Sequence, residues 1–447
     1  MGYSVGIVNL GCAKNQVDAE VMLKKLEDAG YEVKDDPSSA DAVIINTCAF
    51  IDAAKRESID NILEFAKLKN EGKVKAIVVT GCLAERYRGE VMKELPETDA
   101  VSGIGANGDI VKTVAQALGG AKPQQFPPKD RLPLCGTRRL LTPAWYAYVK
   151  IAEGCDNRCA YCAIPSIRGR YRSRTLEDIT AEAESLAAKG VKEIILVAQD
   201  TSKYGRDIYG GRLMLPELLK RLCAVDGIKW IRILYCYPDT VTEELLTVIA
   251  SEKKVVNYID LPLQHCSGRV LKAMRRAGDR RSLTELINKM REKVPGLTLR
   301  TTLMVGFPGE TDADFEELCG FVKEMRFERL GCFSYSREEG TLAAGMPDQI
   351  DGEVKRRRLE LITEEQMNIM QEQGGAMKGK TLEVLCEGID AESGLFIGRS
   401  AMDSPDVDGS IIFSAAAGRP RFGEFANVKV TGCRDGDLYG ETVPLGG

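Results

Sequence analysis

What most limits the fold of this 447-residue chain is an alternation of short apolar runs with amphipathic helical stretches, repeated along most of its length. Ser4–Leu10, Ala42–Asn46 and Ala76–Thr80 are apolar runs of strand length. Each is followed by helical spacing: Asp18–Ala29 through Val21, Met22 and Leu26, then Ile59, Ile62, Leu63 and Phe65, then Gly89–Leu95. Apolar strands joined by helical crossovers pair in parallel, so residues 1–120 are predicted to form an open parallel α/β domain. Residues 121–142, with Pro123, Pro127, Pro128 and Pro133, read as a linker.

The alternation resumes over residues 143–373. Strands are predicted at Tyr146–Ala152, Glu193–Ala198, Trp230–Tyr235, Tyr258–Leu263, Thr298–Val305 and Arg329–Tyr335, with Gly352–Gln373 as an exit helix. These βα units are too few to close an eightfold barrel, so a partial (β/α)6 barrel is expected. The tail, 374–447, breaks into short β-rich pieces between Gly/Asp turns, at Thr381–Leu385, Gly394–Arg399, Gly409–Phe413, Phe425–Val430 and Leu438–Thr442. That pattern predicts a small antiparallel β-barrel of OB-like size.

Hydrophobic residues make up 44% and the net charge is −5, which fits a globular protein and not one coated in basic surface. The N-terminus carries no basic, then apolar, then small-residue signal pattern, and no apolar run reaches membrane-spanning length. A cytoplasmic protein with no membrane contact is expected. Such a compartment keeps thiols reduced, yet there are 14 cysteines and one histidine, His265. The imbalance points away from His-ligated metal sites and His general-base catalysis, and towards metal–sulfur chemistry.

Cys155-Asp-Asn-Arg-Cys159-Ala-Tyr-Cys162 directly follows the first strand of the predicted barrel. Three thiolates on one loop can hold three irons of a 4Fe–4S cubane and leave the fourth open to a ligand. Barrel chemistry also sits at the carboxyl ends of the strands. A structural zinc knuckle would want a fourth cysteine nearby, and none follows. In the first domain Cys12, Cys48 and Cys82 each end one predicted parallel strand, where loops converge on one sheet edge. They form a second candidate three-cysteine site; the alternative is three small buried hydrophobes. The other eight cysteines read as core or incidental, and Cys266, beside His265, is the one to place relative to the site.

The CxxxCxxC spacing, with Tyr161 before its last cysteine, resembles the radical S-adenosylmethionine superfamily. The resemblance implies that the open iron chelates S-adenosylmethionine, whose reductive cleavage gives a 5′-deoxyadenosyl radical. It also implies cofactor contacts from Tyr161, from Gln199 and Asp200 at the second strand end, from Gln264 at the fourth, and from Gly306 in Val305-Gly-Phe-Pro-Gly-Glu310 at the fifth. Read by itself, that last run is a strand-to-helix turn in which Glu310 assists the next helix.

With the preceding three-cysteine domain and the trailing barrel, nearly the whole chain is similar to the methylthiotransferases. That resemblance implies an auxiliary 4Fe–4S cluster on Cys12, Cys48 and Cys82, a substrate-recognising TRAM domain at the C-terminus, and S-adenosylmethionine as both methyl donor and radical source. It also implies a reductant such as flavodoxin or ferredoxin; the sequence does not identify the sulfur donor. One branch of the family modifies tRNA adenosine and the other the β-carbon of an aspartate in ribosomal protein S-twelve. Leu10-Gly-Cys-Ala-Lys-Asn15, Asn46-Thr-Cys-Ala-Phe-Ile-Asp52, Ile164-Pro-Ser-Ile-Arg-Gly169 and Gln199-Asp-Thr-Ser202 resemble the ribosomal branch. Ala13 stands where that branch has Pro, and Cys266 where it has a small residue; neither removes a ligand.

From Lys378 to Gly447 there are seven basic and eleven acidic side chains, which suits a basic ribosomal protein, free or in the small subunit, better than direct tRNA binding. Arg168-Gly-Arg170-Tyr-Arg172-Ser-Arg174 could grip phosphates or pair with carboxylates at the barrel mouth. The expected activity is therefore aspartate methylthiolation of S-twelve, with tRNA adenosine methylthiolation and a non-catalytic metal-cluster protein as the alternatives.

Overall fold

The computed structural model describes residues 2–444. Its first sheet contains β1 (Ser4–Asn9), β2 (Glu32–Val33), β3 (Ala42–Thr47), β4 (Ala76–Gly81), β5 (Ala100–Ser102) and β6 (Gln124–Gln125), ordered β2-β1-β3-β4-β5-β6 and parallel throughout. β3 and β4 are buried at every position, as central strands covered on both faces must be. The three predicted strands are its centre, and the flanking strands β2, β5 and β6 are too short to leave a periodic signal. β6 lies inside the predicted linker. Proline cannot donate to a ladder, but Pro123 can accept, and Val101 N–H bonds its carbonyl oxygen at 3.1 Å. The linker is also tied down by buried Arg138, which pairs with Glu20 (2.8 Å) and Glu182 (2.7 Å).

The central unit contains β7 (Tyr146–Lys150), a small hairpin of β8 (Ala152–Glu153) with β9 (Arg172–Ser173), then β10 (Glu193–Val197), β11 (Trp230–Ile233), β12 (Val255–Asp260), β13 (Thr298–Val305) and β14 (Arg329–Ser334). The large sheet is a six-stranded parallel array, ordered β14-β13-β12-β11-β10-β7, that does not close. Helices cover its outer face, two of them opened by capping boxes at Asp279 and Thr311. Glu310 does not help the helix after it. Its carboxylate turns back to accept from Gly306 N–H (2.7 Å) and Phe307 N–H (3.1 Å), because Thr311 already provides the cap. Helix Gly352–Gly375 then leads out.

The tail forms a closed barrel of β15 (Thr381–Ile389), β16 (Phe396–Ser400), β17 (Ile411–Ser414), β18 (Phe425–Arg434) and β19 (Asp437–Thr442), ordered β15-β16-β17-β19-β18. Four pairings are antiparallel, and β17 with β19 closes the barrel in parallel. The inner face of the large sheet, including Tyr148, Trp230 and Tyr258, packs against Val17 of the first unit and Leu385 and Phe425 of the tail. Trp230 and Phe425 meet edge to face at 4.7 Å.

Charge fastens the tail to the central unit. Glu383 pairs with Lys229, Asp403 with Arg329 and Asp408 with Arg300, while Glu387 accepts from Trp145 and Asp406 from Tyr148. Arg399 reaches Glu193, which also holds Arg232. Five of the tail's eleven acids and one of its seven bases are thus engaged inward, which leaves six of each. The acidic excess read from the sequence belongs to the docking interface and not to a free surface. Among the described residues no helix is long and apolar enough to cross a membrane.

Candidate metal centres

Each of β1, β3 and β4 ends in a tight turn that delivers one cysteine to the same edge. β1 leads through Gly11, at φ +94°, to Cys12, which opens helix Ala13–Asp28. A Cβ on Gly11 would lie 2.9 Å from Cys48 Cβ and 3.0 Å from Cys48 Sγ, so glycine lets the two loops touch. β4 ends at Gly81, at φ +92°, where a Cβ would stand 2.5 Å from Thr47 O; Cys82 follows as the first residue of the next helix. Asn15 laces the loops together, donating from Nδ2 to Leu10 O (2.7 Å) and to Thr47 O (3.3 Å). Burial and the neighbouring Cys82 push the Cys48 thiol up to about 12, and burial also raises Cys82. At Cys12 burial acts the same way, but Lys14, Arg168 and backbone N–H groups outweigh it and the thiol falls below its ordinary value.

The second triad sits on the loop between β8 and β9. Gly154 (φ +76°) turns the chain, and Cys155 N–H donates to Gly169 O at 3.1 Å. The loop is clamped from the barrel side, with Ala160 N–H on Met274 O (2.9 Å) and Ala343 N–H on Ala160 O (2.8 Å). Cys159 Sγ lies 3.5 Å from the Tyr237 hydroxyl and 3.9 Å from Arg276 Nη1. Cys162 Sγ accepts from Ile164 N–H at 3.4 Å. Burial pushes Cys155 up to about 11 and Cys162 up to about 12. Thiols held up this far make poor free nucleophiles and need a cationic partner to ionise. Among the described residues, no three His, Cys, Asp or Glu side chains close around a single ion.

A buried ionic network runs from Cys82 of the first triad to Glu153 and Arg168, which flank the loop of the second. Arg168, on the cysteine-loop side, donates through Nη1 to Asp18 (2.6 Å) and Glu153 (3.1 Å), and through Nη2 to Asn15 Oδ1 (2.9 Å) and Cys82 Sγ (3.4 Å). Lys150 pairs with the same two carboxylates, at 3.0 Å to Glu153. Arg168 and Lys150 outweigh the burial of Glu153 and hold its carboxyl well below the usual range.

The remaining predicted residues fall at the expected strand ends with differing freedom. Gln199 donates to Glu153 Oε1 (2.7 Å), and its own Oε1 is buried with no partner. The Asp200 carboxylate accepts from Asn157 Nδ2 (2.7 Å) and Ser202 Oγ (2.8 Å), which anchors the cysteine loop. Gln264 sits at φ +72° and bridges to β13, donating to Thr302 O (2.8 Å). Gly306, at φ +73°, leaves no room for a Cβ beside Lys355. Tyr161 is half-buried among Cys159, Cys162, Arg276 and Tyr237. Cys266 joins neither triad; it lies in the core near Asp314 and Glu317. Sequence reasoning missed Arg276, Tyr237 and Glu153, which belong to no motif, and passed over Lys14 inside a segment it had singled out.

The four arginines of the run have different surroundings. Arg168 and Arg174 are buried in ion pairs, and Arg172 donates to Asp130 O at 2.6 Å. Arg170 is the exposed one, at 92% side-chain exposure, with only a long surface pair to Asp156 at 3.8 Å. A cleft of about 840 Å³ beside it is lined by Arg88, Phe126, Pro127 and Lys129, and no cysteine lines it.

Comparison with known proteins covers all three units. Residues 4–103 match the model of an uncharacterized protein family, UPF0004; 149–322 match the radical SAM superfamily; and 379–443 match the TRAM domain. The ribosomal protein uS12 methylthiotransferase RimO of Lachnoclostridium phytofermentans is 48% identical over 434 residues, covering 97% of this chain and 98% of that protein. The protein of the same name from Caldanaerobacter subterraneus subsp. tengcongensis is 49% identical over 439 residues, covering 98% and 99%. Among solved structures, the radical S-adenosylmethionine methyltransferase TsrM from Kitasatospora setae, with cobalamin and a 4Fe–4S cluster bound, superposes with a TM-score of 0.58 at 15% identity. It covers 89% of this chain and 87% of that one, a likeness of fold.

Proposed function

The chain belongs to the family of ribosomal protein uS12 methylthiotransferases of the RimO type, and we infer from that membership that it places a methylthio group on the β-carbon of an aspartate in uS12. The observation that carries the reading is the presence of two three-thiol sites, one at the ends of three parallel strands and one on a single loop, with a buried ionic network running from Cys82 to Glu153 and Arg168 at the base of that loop. Each site supplies three sulfurs and no fourth protein ligand, which fits a 4Fe–4S cluster with one open iron. When bound, a cluster on Cys155, Cys159 and Cys162 with S-adenosylmethionine supplies radical hydrogen abstraction and methyl groups, and one on Cys12, Cys48 and Cys82 supplies the sulfur.

The protein's own groups hold and orient these parts. Gln199 presents its unpartnered Oε1 as the acceptor for the cofactor's ammonium group. Arg276, buried beside Cys159 with no carboxylate partner, answers the cofactor's carboxylate. Tyr161 packs over the loop, Asp200 fixes the loop through Asn157, and Gln264 and Gly306 shape the strand ends where the nucleoside would lie. Lys150 and Arg168 neutralise Asp18 and Glu153, which keeps stray carboxylates from competing for iron.

The same reading divides the chain into 1–120 for the auxiliary cluster, 121–142 as its tether, 143–373 for the radical core and 374–447 for substrate recognition. It places the reaction in the cytoplasm, on uS12 free or within the small subunit, with electrons from a donor such as flavodoxin or ferredoxin. Anaerobic assay of the reconstituted enzyme on a uS12 peptide and on tRNA, read by mass spectrometry, tests it. A methylthio gain on the aspartate of the peptide is expected; a gain confined to tRNA adenosine would overturn the substrate and keep the clusters.

A further inference from the structure

Nine lysines and arginines are buried among the described residues. Seven of them pair with carboxylates. The two that do not are Arg276, at the Cys155–Cys162 loop, and Lys14, two residues after Cys12. Burying a cationic side chain with no carboxylate in contact is costly, so its retention calls for a reason. Lys14 is 7% exposed, and its Nζ has neither a hydrogen bond nor an ion pair among the described residues; it stands 3.4 Å over the ring of Tyr235.

Its position is informative. Tyr235 and Tyr237 leave β11 two residues apart; the first carries Lys14 beside the auxiliary triad, and the hydroxyl of the second lies 3.5 Å from Cys159 of the other. Lys14 therefore stands where one short segment reaches towards both thiol sites. Tyr235 is held there at φ +62°, a strained setting for a tyrosine, with its N–H on Asp260 Oδ2 at 2.9 Å. The nearby basic groups are taken: Arg168 by Asp18 and Glu153, and Arg300 by Asp260 and Asp408.

We propose that Lys14 is the specificity-determining counter-ion for the carboxylate of the target aspartate, holding the side chain whose β-carbon is modified between the two thiol sites. This rests on the function proposed above and names the group that reads the substrate. A neutral adenine base would leave the Lys14 ammonium as unpaired as it is now.

The test uses the reconstituted full-length enzyme and two synthetic peptides of the uS12 target loop, one with the aspartate and one with asparagine in its place. The wild-type enzyme is expected to bind the aspartate peptide roughly thirtyfold more tightly, the scale of one charge pair formed in a desolvated setting. Lys14→Met should lower that preference to near unity while iron content and S-adenosylmethionine binding stay unchanged, and Lys14→Arg should restore most of it. A Lys14→Met enzyme that still prefers aspartate overturns the proposal. So does one whose only change is in the spectroscopic signature of the auxiliary cluster, which would mean that Lys14 balances thiolate charge. A wild-type enzyme that binds both peptides equally overturns it without any variant. Failure of the wild-type enzyme to modify the aspartate peptide at all would count against the proposed function instead.

Discussion

Arg168 makes four contacts from one guanidinium, to Asp18, Glu153, Asn15 and Cys82, all buried. Arg168→Leu leaves two buried carboxylates sharing Lys150 alone, so urea unfolding should show a loss of about 3–5 kcal/mol. Arg168→Lys keeps the charge but not the fork, and should lose less stability. His265 gives a pH dependence. Burial, outweighing the opposing pull of Asp314, lowers it to about 4, and its Nδ1 accepts from Ser267 N–H at 3.0 Å. The folded state thus keeps it neutral where the unfolded chain takes up a proton, near pH 6.5. Its contribution is complete above that pH and is lost as pH falls towards 4; unfolding free energies at pH 7 and pH 5 should differ by about 2 kcal/mol on its account. His265→Asn should remove that part of the slope. The six thiols were legible because their spacing along the chain, or their place at strand ends, carries the meaning. Lys14 and Arg276 were not, since what marks them is the lack of a partner, and a sequence does not show who is paired.

The strand–turn–helix units are what turn sequence into a site. Gly81 sets the third of these turns, with φ +92° and Thr47 O in the way of any Cβ. Gly81→Ala should cost the iron of the auxiliary cluster and keep that of the other, by iron and sulfide analysis with electron paramagnetic resonance. Cys48→Ala should separate function the same way, cleaving S-adenosylmethionine without transferring sulfur. The central strands of both sheets could be read because each is a mostly apolar run of strand length between helical stretches, even where β11 carries Arg232 and β12 carries Asn257. β2, β6 and the β8–β9 hairpin could not, since two residues carry no period. In the tail the five strands were visible, but the parallel β17–β19 pairing joins pieces that are not neighbours in sequence. The arginine run was ambiguous for a related reason: residues two apart would share one face of a strand, but Arg168 closes a short helix and only Arg172 lies in a strand, so even spacing does not give them one fate.

At the scale of the molecule, the tail is held by ionic contacts as much as by apolar ones. Arg399 joins Glu193 (2.8 Å) and Glu387 (2.8 Å) across the interface, with Arg232 on the far side of Glu193. Arg399→Met should loosen the small barrel without unfolding the central unit, seen as faster proteolysis near residue 376 and greater hydrogen exchange in β15 and β16. The net acidity of the tail was correctly counted from the sequence, but its direction was not, because composition does not say which side chains face inward. The Arg168 network has a parallel consequence for heredity. Its donors lie in one unit of the chain and most of its acceptors, Asp18, Asn15 and Cys82, in the other. The first 120 residues are therefore not an interchangeable cartridge: a transplant between relatives works only when both sides of that buried joint travel together, so the two units are bound to drift as one.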